Sequence, residues 1–155
     1  MSVTAWRIVK RRFATAAFSG EGARQYGGRW NSRGTAIVYT AESQALAALE
    51  LLVNIGSTGV LTSYTSIPVT IPDALINVIE EAQLPKNWRT APAPVALRRI
   101  GDEWAGSGTS VVLRVPSVVI PGEHNFLLSP AHPDFHKLTM GTPIPFRFDR
   151  RLRGK

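Results

Sequence analysis

Residues 41–54, AESQALAALELLVN, are the strongest helix-forming stretch of this chain: rich in alanine and leucine, with Gly56 just past their end. Around them the chain is built differently. VTAWRIV at 3–9, TAIVYT at 35–40, VLTSYTSIPVT at 60–70, VVLRV at 111–115 and PIPFRFD at 143–149 are β-branched or aromatic and read as strands. One further helix is predicted, from Pro94 to Ala105, closed by Gly106-Ser107-Gly108. Strands outnumber helices and do not alternate with them, so an α+β domain is expected rather than a doubly wound sheet. No repeat or linker interrupts the 155 residues, which are expected to form one domain, 1–155.

Between these elements the signals are local. Residues 14–28, rich in Gly, Ala and Ser, read as a loop. Asn31-Ser32-Arg33-Gly34 is a turn signal, predicting a hairpin with Arg29 near the base of one strand and Tyr39 near the end of the other. Thr40 is positioned to cap the first helix, with Glu42 in its first turn. Pro116 interrupts an apolar run that resumes at 118–120, which predicts a bulge or sheet edge at Ser117. PGEHNFLLSPAHPDFHKL at 121–138 reads as a long irregular segment.

Composition excludes several classes. With no cysteine, disulfides and thiolate-held metals are ruled out. His124, His132 and His136 share one segment without metal-ligand spacing, so no metal is expected. No run reaches the ~20 apolar residues of a membrane span, and no apolar stretch follows the basic N-terminus. A cytoplasmic protein is expected. There is no G-x-S-x-G, Walker or G-x-G-x-x-G sequence. The net charge of +7 comes from 18 basic and 11 acidic residues. Clusters lie at Lys10, Arg11 and Arg12, at Arg98 and Arg99, and in the tail Arg147, Arg150, Arg151, Arg153 and Lys155. Such a surface attracts nucleic acid, phosphorylated small molecules or an acidic protein, or only keeps the chain soluble.

Four positions stand out chemically. At 100° per residue, Glu50 shares a helix face with Leu46, Leu49 and Val53, so it either reaches water at the rim or projects into a cleft. Arg29 follows Gly27-Gly28 and suits a phosphate or carboxylate, or is a surface arginine beside a turn. Tyr39 either packs in the core or stacks on a planar ring. The hydroxyl of Ser117 requires a partner, from backbone or ligand.

Taken together, GARQYGGRWNSRGTAIVYTAESQALAALELL, LRVPSVVIPGEHNFLLSPAHPDF and PFRFDRRL resemble the RES domain family from about Trp6 to Leu152. One departure is Ser129, where asparagine is expected before the proline. The resemblance implies a bacterial toxin with an ADP-ribosyltransferase-like fold: a mixed, split β-sheet flanked by helices. It implies that NAD is consumed as a substrate, with no cofactor, and that some members transfer ADP-ribose to a protein. The catalytic set falls on Arg29, Tyr39, Glu50 and Ser117, with Arg7 and Asn125 joining Arg29 and Tyr39 in binding NAD. The implied partner is a cognate antitoxin with a helix-turn-helix-like DNA-binding region and a C-terminal part that blocks the site. Direct nucleic-acid or membrane binding is not expected. A homodimer is, because family members resemble one another in pairing and Leu127, Leu128 and Phe135 lie in a segment read as a loop. The acceptor of the ADP-ribosyl group stays open among water, phosphate and protein. Ala48 two residues before Glu50 removes the Glu-x-Glu pattern of arginine-modifying transferases.

Overall fold

In a computed structural model, which describes residues 1–55 and 63–153, the chain builds one mixed sheet flanked by helices. The strands are β1 (Ser2–Lys10), β2 (Val38–Ala41), β3 (Tyr64–Pro72), β4 (Ile76–Val78), β5 (Val112–Pro116), β6 (His124–Leu128), β7 (Thr139–Met140) and β8 (Ile144–Phe146). Their order is β4-β5-β6-β2-β1-β3-β7, with β8 also on β3. β4 and β5 are parallel and the other pairs antiparallel. Among the described residues three α-helices accompany them: α1 (Glu21–Tyr26), α2 (Gln44–Ile55) and α3 (Val95–Ser107). The expected α+β class and split sheet are what the sequence forms.

The split has a definite place. All 9 residues of β1 pair with β3, from Ser2↔Pro72 to Lys10↔Tyr64. On its other side β1 meets β2 at Trp6↔Ala41 alone. Two half-sheets therefore join at one residue pair. Strand alternation sets Ala5, Val38, Val69, Val112, Phe126 and Leu128 into the core of one face. On the opposite face, Leu113, Val115 and Leu127 pack with Trp30, Trp88, Leu97 and Trp104 under α3. On that same face Ile8 and Tyr64 meet Ala48 of α2, with Phe148 beside them. The two helices thus stand on either side of the split.

Glycine permits the tightest of these contacts. A Cβ on Gly101 of α3 would lie 1.6 Å from the Trp30 carbonyl oxygen, so only glycine lets the helix settle on the 28–31 turn.

Several expectations change. Residues 11–26 are mostly helical, a 3-10 turn at Arg11–Ala16 followed by α1, rather than a loop. The predicted hairpin is absent. Gly28 and Asn31 form an isolated bridge, and β2 pairs with β6 and β1 instead. Ser43, not Thr40, caps α2: its Oγ accepts from Leu46 N at 3.0 Å, while Thr40 donates its hydroxyl to Phe126 O from within β2. Glu42 precedes the helix. Residues 118–120 form a turn and do not continue β5.

The largest difference is β6, a central strand inside the segment read as irregular. Leu127 and Leu128 are fully buried in the chain's own core. The sequence ground for a dimer at these residues is gone, and Leu127→Ala would cost about 2–5 kcal/mol of fold stability. Gly56, residues 60–62 and Lys155 lie outside the described residues. No helix among the described residues is long and apolar enough to cross a membrane.

Candidate active site

Where the β1–β2 ladder stops, side chains take over the backbone's bonds. Arg7, one residue past the single pair, donates from Nε to Ala17 O at 2.5 Å and from Nη1 to Tyr39 O at 3.0 Å. On the other side of β2, Asn125 donates from Nδ2 to Thr40 O at 3.1 Å. Consecutive carbonyls of β2 are held by side chains from its two neighbouring strands. A cleft of about 860 Å³ lies at this point, lined by Arg7, Arg29, Tyr39, Glu50 and Asn125 among others. Burial pushes Arg7 down to about 10, so it remains a cation at neutral pH.

The GGRWN stretch shapes the second wall. Gly27 has φ +75°, a left-handed value that favours glycine. A Cβ on Gly28 would sit 2.6 Å from the Tyr39 hydroxyl. That hydroxyl donates to Asn31 Oδ1 at 2.5 Å and accepts from Trp30 N at 3.0 Å. Asn31 is fully buried, and its Nδ2 faces the carbonyls of Ala23, Ser32 and Thr35 at 2.9–3.0 Å. Burial raises the Tyr39 phenol well above its ordinary range, so Tyr39 is neutral. Arg29 donates from Nη1 to Trp88 O and Thr90 O, each at 3.0 Å, and burial lowers its pKa.

Glu50 comes from α2. Leu46 is buried, but Leu49 and Val53 are 38% and 66% exposed, so the face they were expected to share is not a core face. Val53 and Asn54 line the cleft beside Glu50. Glu50 Oε1 accepts from Asn125 Nδ2 at 2.7 Å and Oε2 from Ser117 Oγ at 3.2 Å. Burial raises the Glu50 pKa; the bonds from Asn125 and Ser117 pull the other way.

Ser117 is buried behind this carboxylate and does not line the cleft, where Val118 and Val119 appear instead. Its N–H donates to Glu123 O at 2.8 Å, and its Oγ accepts from Val119 N and Ile120 N at 3.1 and 3.2 Å. One hydroxyl therefore closes the turn after β5 and fixes one oxygen of Glu50.

The charges are separated. Among the described residues, no carboxylate lies within 4.0 Å of the guanidinium of Arg7, Arg29 or Arg98, and no cation lies within 4.0 Å of Glu50. A cleft with unpaired guanidinia and a carboxylate held by neutral donors suits a ligand with both an anionic and a cationic part.

Arg29, Tyr39, Glu50, Arg7 and Asn125 are brought together, and Ser117 stands one layer behind. Sequence reasoning missed Asn31, which orients Tyr39, and the cleft-lining residues Tyr26, Asn54 and Arg98. Asn31 carries a signal, as the polar residue after Trp30 in GGRWN, but Asn31-Ser32-Arg33-Gly34 reads equally as a turn. No group of three or more His, Cys, Asp or Glu suited to a metal occurs among the described residues.

The RES domain matches residues 4–149. A protein named Toxin Res from Yersinia enterocolitica is 42% identical over 149 residues, covering 96% of this chain and 98% of that protein. The Prs ADP-ribosylating toxin of a Sphingobium species is 40% identical over 157 residues, covering 98% of each. The structure is similar to one from the M. tuberculosis MbcT–MbcA toxin–antitoxin complex, with a TM-score of 0.77 and 19% identity over 95% of this chain and 85% of that one. At that identity the likeness speaks to fold.

Proposed function

This chain belongs to the RES domain family, and from that premise we propose that it is the toxin of a toxin–antitoxin pair that cleaves the N-glycosidic bond of NAD. The observation that carries the chemistry is Glu50, held by Asn125 and Ser117 in a cleft whose arginines have no acidic partner among the described residues. The Arg7 and Arg29 guanidinia take the pyrophosphate. Tyr39, immobilised by Asn31 and Trp30, presents its ring to the nicotinamide end. As the bond between the ribose anomeric carbon and the nicotinamide nitrogen breaks, its electron pair leaves with nicotinamide, which departs neutral and needs no proton. Positive charge grows on the ribose, and the Glu50 carboxylate stabilises it. The acceptor then bonds to the anomeric carbon; water gives a glycohydrolase and phosphate a phosphorylase.

Relatives named Toxin Res support the toxin reading. A cognate antitoxin, with a helix-turn-helix-like DNA-binding region and a C-terminal part that blocks the cleft, is the proposed partner. An acidic partner segment suits the +7 charge. A cytoplasmic location follows from the proposed substrate. Homodimer formation now rests on family resemblance alone, and light scattering showing only the 16.9 kDa monomer would end it.

The test is incubation of purified protein with NAD, with and without phosphate, and identification of the products. Nicotinamide released in step with NAD loss supports the reading; intact NAD contradicts it. A second reading, transfer of ADP-ribose to a host protein, is favoured by the naming of the Sphingobium relative. It predicts ADP-ribose on a protein by mass spectrometry. A nucleic-acid module loses support, because Trp30, Trp88 and Trp104 are buried in one cluster and offer no stacking surface.

A further inference from the structure

Three arginines border the cleft, and they are not alike. Arg7 and Arg29 are each fixed by two backbone carbonyls. The side chain of Arg98, on α3, makes no hydrogen bond or ion pair with any described residue, while its backbone N–H donates to Pro94 O at 3.3 Å. Its backbone is nevertheless rigidly placed. Leu97 beside it is fully buried, and Gly101, one turn on, rests against the carbonyl of Trp30, the residue after Arg29. The acid that could pair with Arg98 at the i,i+4 spacing is Asp102, and its Oδ1 instead accepts from Ser32 N at 2.9 Å. The Arg98 guanidinium is thus a half-buried, unengaged cation in the lining of the cleft that also holds Arg7, Arg29 and Glu50.

A dinucleotide pyrophosphate occupies two guanidinia. We propose that Arg98 forms a third anion subsite that takes the 2′-phosphate of the adenosine ribose, so that NADP is cleaved as well as NAD. This rests on the reading of the cleft as a dinucleotide site. The charge balance favours it: the third cation has no acid of its own among the described residues, and a phosphate monoester is the additional anion that a cellular dinucleotide carries. The bond broken is the same, between ribose and nicotinamide, and the 2′-phosphate leaves with the ADP-ribosyl part.

The experiment has two arms. In the first, kcat/KM is measured for NADP and NAD with the wild type, Arg98→Gln and Arg98→Lys. The expected wild-type ratio of NADP to NAD is at or above one. Arg98→Gln lowers that ratio about tenfold or more through KM for NADP, the scale of one lost charge-assisted hydrogen bond, and Arg98→Lys restores part of it. In the second arm, calorimetry compares adenosine 2′,5′-bisphosphate with 5′-AMP, whose binding needs no turnover. Tighter binding of the bisphosphate that weakens in Arg98→Gln supports the subsite, even if neither dinucleotide is cleaved and the proposed reaction fails. NAD cleavage without NADP cleavage, or a ratio unchanged by Arg98→Gln, overturns the subsite and leaves the NAD reading standing.

Discussion

Glu42 and Glu50 lie eight residues apart and are held by consecutive residues of the same strand. Glu42 Oε1 accepts from the backbone N–H of His124 at 2.7 Å and lies 3.5 Å from its ring Nδ1, while Glu42 N donates to His124 O at 3.1 Å. Glu50 accepts from the side chain of the next residue, Asn125. The first carboxylate closes the end of the β2–β6 ladder. The second is half-buried among neutral donors at the edge of a cleft. A carboxylate tied to the backbone of its own sheet finishes a fold. One denied a cation, and held by side chains that add no charge, is left able to answer positive charge in a ligand.

The supports of Glu50 can be removed one at a time. Asn125→Ala removes the 2.7 Å tie and the bond to Thr40 O. A hydrogen bond to a charged group contributes about 1.5–3 kcal/mol, so kcat for NAD cleavage is expected to fall about a hundredfold, with KM changing less. Ser117→Ala frees the other oxygen and leaves the N–H groups of Val119 and Ile120 without their acceptor. Its kcat should fall about tenfold, and its melting temperature should fall too, because buried donors lose about 1–3 kcal/mol. Unchanged kcat in both variants would make the supports irrelevant to the reaction.

The pH dependence sharpens the contrast. Burial raises the Glu50 pKa, and the proposed mechanism requires the ionised form. The acid limb of kcat/KM should therefore begin closer to neutrality than an ordinary glutamate would set it. Linkage gives the sign for stability: a raised folded-state pKa favours the protonated side chain, so this contribution is present at low pH and lost as pH rises through the folded pKa. Neutralising Glu50 should not lower the melting temperature at neutral pH. The smallest effect is at Glu42. Glu42→Gln keeps an acceptor for the His124 N–H, and its turnover should stay within about threefold of wild type, with a stability loss of about 1 kcal/mol or less. A larger loss of activity than in Asn125→Ala would reverse the roles of the two glutamates.

Much of this site was legible in the sequence, for reasons that differ by residue. Glu50 stood out because a carboxylate in an alanine- and leucine-rich helix conflicts with its surroundings. Arg29 stood out through its two glycines, and Gly28 proves to make room for the Tyr39 hydroxyl. Ser117 was visible between two apolar runs, but its place behind Glu50 depends on a turn that the run VVI disguised as strand. β6 was hidden because its apolar core, FLL, is short and bounded by Pro-Gly-Glu and Ser-Pro, which read as loop. Asn31 was hidden for the opposite reason: Asn31-Ser32-Arg33-Gly34 is an ordinary turn signal, and only the folded chain shows the asparagine buried with its amide bonded to Tyr39 and three carbonyls.

The role of the Glu50 charge is tested most directly by nicotinamide release from NAD by Glu50→Gln, measured together with NAD affinity and melting temperature. The substitution keeps the size of the side chain and removes its charge. The expected result is release slowed by about a thousandfold or more, equivalent to about 4 kcal/mol of barrier, with affinity within about threefold and no loss of melting temperature. Release within about tenfold of wild type, at unchanged fold, would contradict a catalytic role for the Glu50 charge.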